Sequence, residues 1–107
     1  MIAYGEAEGP LFLDARLGQE EGGGAYVEGI VTTGFKVSHQ GRRHDHRCMF
    51  RSYRSEDVAS VLSLAKGSTV RITGKLSARA YTDSDGRVWC HPCLIVDPRF
   101  GKVEVVV

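Results

Sequence analysis

Long apolar runs are missing from this chain. No stretch approaches the ~20 apolar residues that a bilayer crossing needs. The N-terminus also lacks the basic start, apolar run and small-residue cleavage site of a secretory leader. Three cysteines in 107 residues are too sparse, and odd in number, for a disulfide framework. These absences predict a cytoplasmic protein with no membrane partner. A dominant charge is missing too: 14 Lys and Arg against 13 Asp and Glu leave a net +1, so bulk charge names no partner. Catalytic signatures are equally scarce. No phosphate-cradling glycine loop, no Ser/His/Asp set and no pair of carboxylates stands out, and Asp83 and Asp85 sit in a turn where such residues are expected. Neither an enzyme nor a cofactor is expected. The length predicts one domain, 1–107, with a single modest core.

What is present is local order. Residues 1–35 carry a balance of −5, residues 36–54 one of +5, and residues 55–107 one of +1. The basic middle segment, with Lys36, Arg42, Arg43, Arg47 and Arg51, is the kind of footprint sought in a nucleic-acid binder; the alternative is that its arginines only solvate a loop. From Val70 to Ala80 apolar and polar residues alternate, the period of a strand with one buried and one wet face. Val70, Ile72, Leu76, Ala78 and Ala80 form the inward row. Arg71, Thr73, Lys75, Ser77 and Arg79 form the outward row, which ends at Tyr81. Gly74 breaks the inward row and permits a bulge or sharp coiling. A basic, hydroxyl-rich face ending in an aromatic suits a polyanion with flat bases.

The rest of the chain fits around that strand. Met1 to Glu8 is expected as a short first strand, with Ile2 and Tyr4 or Ala3 and Ala7 inward, ended by Gly9-Pro10. Leu11 to Leu17 is apolar without a clear period, a weak strand or a loop. Glu20 to Gly24 is a flexible turn, and Ala25 to Val37 a long strand rich in β-branched and aromatic residues. Gly29 and Gly34 can relieve strain where it curls. A basic hairpin loop, Ser38 to Asp45, leads to a strand over His46 to Tyr53. Two arginines are not buried unpaired, so Cys48 and Phe50 are expected inward and Arg47, Met49 and Arg51 outward. Ser55 to Lys66 is the one convincing helix. It has Ser55 as N-cap, Glu56 and Asp57 at the positive end of the dipole, and a core stripe of Val58, Val61, Leu62 and Ala65. Asp85-Gly86 signals a hairpin before a last strand over Val88 to Val96. Residues 99–107 are a tail or one more strand. The order predicts an all-β protein: a five-stranded OB-fold Greek-key barrel over about 1–98, with one α-helix between the third and fourth strands.

At KGSTVRITGKLSARAYTDSDGRVW, residues 66–89, the chain resembles bacterial single-stranded DNA-binding proteins. Lys66, Gly67, Ser68, Val70, Ile72, Gly74, Leu76, Arg79, Tyr81, Asp83 and Gly86 match that family's pattern, and Asp57-Val58-Ala59 and His46-Arg47 match its helix start and the entry to its third strand. The likeness covers residues 45–97 well and 1–44 by strand order. It implies sequence-tolerant binding of single-stranded DNA in replication, recombination or repair, with base stacking by Tyr81, phosphate or base contact by Lys75 and Arg79, and a DNA-facing role for Arg47, Met49 and Arg51. Arg71, on the same wet strand, and Lys36, Arg42 and Arg43 from the basic segment complete the expected interface. Asp45 and Arg51 stand where the family often has aromatics, which implies weaker binding than in typical members. The family's acidic tail has no counterpart in VEVVV, so a plasmid, phage or accessory variant, or a primosomal replication protein on the same fold, is implied. A homodimer or homotetramer is expected. An OB-fold interaction or oligomerisation module with little nucleic-acid affinity is the alternative, and RNA a third option.

Cys90-His91-Pro92-Cys93 with Cys48 offers thiolate and imidazole ligands for zinc. Residues three apart on a strand point to opposite faces, so free thiols and no metal are the expectation. His39, His44 and His46 flank the basic loop and either strengthen phosphate binding near pH 6 or have no special role.

Overall fold

The computed structural model describes residues 3–106, with the backbone alone at Tyr81 and Trp89. Ile2 therefore lies outside the described residues, as does the Tyr81 side chain expected to stack on bases. Seven strands and one helix follow in the order β1 (Tyr4–Pro10), β2 (Arg16–Gln19), β3 (Ala25–Val37), β4 (Arg43–Ser52), α1 (Ser55–Leu62), β5 (Thr69–Thr82), β6 (Val88–Val96) and β7 (Lys102–Val105). The expectation of five strands thus gives way to seven. The aperiodic segment supplies β2, and the tail supplies β7. No helix among the described residues is long and apolar enough to cross a membrane.

The strands make one sheet in the order β1-β5-β6-β4-β3-β2, with β7 also on β5. All pairs are antiparallel except β4 and β6, which run parallel over Met49–Ser52 and Cys93–Val96. A bridge between Leu11 and Val31, with Phe12 N donating to Ile30 O at 2.8 Å, brings the end of β1 against β3. Gly9 makes that approach feasible: a Cβ there would lie 1.9 Å from Thr32 O.

On β4 and the first half of β5 the core follows the alternation read from the sequence. Val27 and Val31 on β3, Cys48 and Phe50 on β4, Val70 and Ile72 on β5, and Leu94 and Val96 on β6 are all buried, with Ala7, Leu11 and Val61. Burying each large aliphatic or aromatic side chain contributes about 1.5–3 kcal/mol relative to leaving it in water. On β5 the inward row stops at Gly74. Leu76 is 48 % exposed, and Ala78 and Ala80 are exposed as well. Lys75 still pairs with Tyr4 of β1, and Leu76 N donates to Ala3 O; past Leu76 the strand pairs only with β6 among the described residues, and its inward row lies open. A Cβ at Gly74 would sit 2.7 Å from Ile95 O; the glycine serves close strand approach, and the β1–β5 ladder runs through it with no register shift. The one shift in the β3–β4 ladder falls between Thr32 and Gly34, where strand curling was expected.

The helix is shorter than its pattern. It ends at Leu62, and its N-cap is Arg54 rather than Ser55, with no side-chain cap. Segment 66–68 spends its hydrogen-bonding groups elsewhere. Lys66 N donates to Asp14 Oδ1 at 2.7 Å, Gly67 N donates to Leu11 O, and Leu11 N donates to Ser68 O. Those tertiary bonds replace another helical turn. Leu64 packs on the core in place of Leu62, which is 38 % exposed.

Two hairpins end as their sequences direct. Asp83 Oδ1 accepts from Asp85 N and Arg87 N at 2.9 and 3.0 Å, and Gly86 takes φ +81°, a left-handed geometry suited to glycine. The Asp97 carboxylate accepts from Arg99 N and Phe100 N and turns the chain into β7.

Candidate nucleic-acid interface

Parallel pairing of β4 with β6 begins at Met49 and Cys93. Before those residues β4 pairs only with β3, and β6 only with β5, so two ribbons diverge and leave a cleft. The cleft has a volume of about 400 Å³ and is lined by Phe12, Ile30, Arg47, Met49, Arg79, Ala80 and His91. Met49 and Ile30 are cross-strand partners on the outer face. Arg47 and Phe12 line the β3–β4 side, and Arg79 and its cross-strand partner His91 the β5–β6 side. The Arg47 guanidinium stacks 3.7 Å over the Phe12 ring, a geometry in which the ring's negative face favours the cation.

One row of the sheet's outer face runs Arg16, Glu28, Arg51, Ile95, Lys75 across β2, β3, β4, β6 and β5. Arg51 donates to Glu28 Oε2 at 3.1 Å and lies 3.5 Å from Glu20 Oε1. Its guanidinium also stacks 4.0 Å over Tyr26 and donates to Tyr53 Oη at 3.4 Å. Burial works against the Arg51 charge, but the hydrogen bonds to Tyr53 and Glu28 outweigh it, and the guanidinium is held still more firmly protonated. Burial raises the Tyr53 phenol, as does its hydrogen bond to Glu20. Cys93 is buried in the adjacent row, paired with Met49 and Ser77. Burial pushes its thiol pKa up, against the pull of the Arg79 and Arg51 charges.

The expected site residues therefore separate into groups. Arg47, Met49 and Arg79 meet at the cleft, with Arg51 in the adjoining row. Lys75 lies exposed further along that row, with no carboxylate in ion-pair reach among the described residues. Lys36, Arg42 and Arg43 stand at the far end of the β3–β4 ribbon, where Arg43 stacks 4.3 Å over Phe35 and donates to Asp45. Arg71 is remote from the cleft. It pairs with Glu8 at 2.6 Å and Glu6 at 3.5 Å on β1, eight residues or about 26 Å of strand from Arg79. The outward row of β5 is thus divided between two neighbourhoods, because the strand is shared by β1 and β7 at one end and β6 at the other.

Phe12, Ile30, Arg16 and Glu28 were not singled out from the sequence, and His91 was weighed there only as a zinc ligand. For Ile30 and Glu28 the parity of β3 carried the signal, since inward Val27 and Val31 put both outward. Phe12 had none, because its placement rests on a single bridge.

Cys90 is exposed while Cys48 and Cys93 are buried. Among the described residues no three His, Cys, Asp or Glu side chains gather as a metal centre.

No protein-family model matches the chain, and no curated protein sequence matches it. Among solved structures it is similar to a single-stranded DNA-binding protein of Plasmodium falciparum in complex with single-stranded DNA. That match has a TM-score of 0.72 at 15 % identity, over 97 % of this chain and 94 % of the other. It is similar also to the small single-stranded DNA-binding protein of Streptomyces coelicolor, with a TM-score of 0.72 at 14 % identity, over 99 % and 95 %. The chain has the OB-fold of these proteins across nearly its whole length.

Proposed function

We propose that this protein binds single-stranded DNA, largely without regard to sequence, along the cleft between the β3–β4 and β5–β6 ribbons. The observation that carries this reading is the meeting of Arg47, stacked on Phe12, with Arg79 and His91 around an apolar floor of Met49 and Ile30. Cations meet phosphates and flat groups meet bases, the combination that sequence-tolerant single-strand binders use. In the barrel reading, β1, β3, β4, β5 and β6 are the five OB strands, with α1 between the third and fourth. The cleft then lies on the second- and third-strand face beside the fourth hairpin, where OB-folds take oligonucleotides. Arg47, Met49, Arg51, Lys75, Arg79 and Tyr81 would line the path, with Lys36, Arg42 and Arg43 reached only by a longer strand. A homodimer or homotetramer acting in replication, recombination or repair in the cytoplasm fits the same reading.

Titration of labelled oligo-dT at several salt concentrations tests it. The expected result is an affinity that falls with salt, with a slope of roughly −0.7 per phosphate neutralised. Absence of binding, or binding indifferent to salt, rejects it. Oligo-U in parallel separates DNA from RNA.

A second reading, an interaction module with weak nucleic-acid affinity, is favoured by one observation: Arg43, Arg51 and Arg71 already face carboxylates of the same chain. Arg47→Glu with Arg79→Glu separates the two. DNA binding is abolished under the first reading, whereas assembly measured by light scattering persists under the second.

A further inference from the structure

Three arginines from three strands converge on Glu28. Arg16 Nη2 donates to its Oε1 at 3.0 Å, Arg51 Nη2 to its Oε2 at 3.1 Å, and Arg79 Nη1 lies 3.9 Å from Oε2. The Glu28 side chain is 19 % exposed and that of Arg51 14 %, so water screens this cluster less than it does a surface pair. Arg51 is held on every side, by the Tyr26 ring and by Glu20 and Tyr53. Its Nε is nevertheless buried with no acceptor, the one such atom among the described residues. Guanidiniums so arranged present the planar donor forks that recognise phosphate as well as carboxylate.

We infer that Arg16, Arg51 and Arg79 form a site for one phosphodiester of the bound strand, and that Glu28 occupies it in the free protein as an internal stand-in for that phosphate. This rests on the nucleic-acid reading of the cleft. Glu28 sits beside the cleft floor: with Ile30 and Met49 it lines a second hollow of about 170 Å³ that also includes Arg16. A phosphate arriving at the arginines must displace a carboxylate of the same charge. Glu28 lowers the charge of the three arginines from +3 to +2 in the free state, and Glu20 beside Arg51 lowers it to +1, so affinity is set below what three arginines would give. Neutralising the acid removes the competitor and leaves the arginines in place. Truncating an arginine removes the site itself.

The experiment is anisotropy titration of labelled oligo-dT with the full chain and its Glu28→Gln variant at several salt concentrations. Glutamine keeps the shape of the side chain and an oxygen that accepts from Arg51. Glu28→Gln is expected to tighten binding by roughly fivefold or more at low salt, as removal of a like charge from a phosphate path does, and to steepen the salt slope by about 0.7, one further phosphate contact. Equal or weaker binding by a folded Glu28→Gln overturns the inference, while the wild-type titration still supports the nucleic-acid reading. Binding by the variant alone supports both. Binding by neither, at any salt, overturns both. Should Glu28→Gln fail to fold, Glu20→Gln removes the second acid on Arg51 from a half-exposed position. A smaller tightening supports the inference there, and none overturns it.

Discussion

The Ser52 hydroxyl donates a 2.7 Å hydrogen bond to Asp57 Oδ2, joining the end of β4 to the first turn of α1. Both residues are buried, Ser52 wholly and Asp57 to 4 % exposure. Ser52 Oγ also accepts from Arg54 N at 3.3 Å, and Arg54 Nη1 stands 3.7 Å from the same carboxylate oxygen. A buried carboxylate is tolerated because each neighbour either donates to it or carries the opposite charge. Ser52→Ala leaves that carboxylate short of a donor and should destabilise the fold by about 2 kcal/mol. The thermal midpoint should fall by roughly 10 °C for a chain of this size. Oligonucleotide affinity, measured below the midpoint, is expected to be unchanged.

Phe12→Ala addresses the cleft instead of the core. The ring is 38 % exposed and carries Arg47 on its face. Its removal should weaken oligo-dT binding by about 1–3 kcal/mol, the range for one base–aromatic contact, with a circular dichroism spectrum like that of the wild type. An unaltered dissociation constant would place the strand elsewhere.

The division of the β5 cations is testable by salt dependence. Arg47→Ala with Arg79→Ala should flatten the plot of log affinity against log salt by about 1.4, two phosphate contacts on a single strand. Arg71→Ala should leave both affinity and slope as they are, since Arg71 is paired with Glu8 and Glu6. Surface ion pairs of this kind are screened by water and contribute little to stability, so little change in melting is expected either.

The three thiols should differ in reactivity. Cys90 is exposed, while Cys48 and Cys93 are buried. Burial raises the Cys48 thiol, with Cys93 adding to the effect, and burial likewise raises Cys93. A maleimide at neutral pH should add one label, located at Cys90 by peptide mass spectrometry, with the other two modified only in denaturant. The same shifts make folding pH-dependent. A thiol that is harder to ionise in the fold contributes stability that is fully present below its unfolded pKa. That contribution is lost as the pH rises above it and through the raised folded value. Denaturant midpoints should therefore decline in alkaline solution, and less so in a Cys93→Ser variant.

Gly9→Ala probes the approach of β1 to β3. The added Cβ would fall 1.9 Å from a backbone oxygen of Thr32, which cannot rotate away as a side chain can. A loss of about 3 kcal/mol or more is expected, at the upper end of overpacking costs, with faster hydrogen exchange at the Phe12 amide that bonds to Ile30 O.

The local plan of this protein was legible because it rests on local physics. Alternation placed Val70 and Ile72, and Cys48 and Phe50, inward. Asp85-Gly86 placed the hairpin between β5 and β6. The helix start was legible to within a residue. Its end was not, because Asp14 and Leu11 draw residues 66 and 67 out of the helical path, and no periodicity in residues 55–66 records a partner fifty residues away.

The sequence by itself determined which side chains alternate inward, where most strands turn, and that the middle segment is basic. Only the tertiary structure decided which cations share a surface. Arg71 and Arg79 belong to one alternating row, yet the first is bound to acids on β1 and the second faces a cleft shared with Phe12 and Arg47. Strand period tells which face a residue is on, but a curled sheet has different neighbours along a single face. Those neighbours follow from register and crossover, and they turn Glu28, one acid among thirteen, into the meeting point of three arginines.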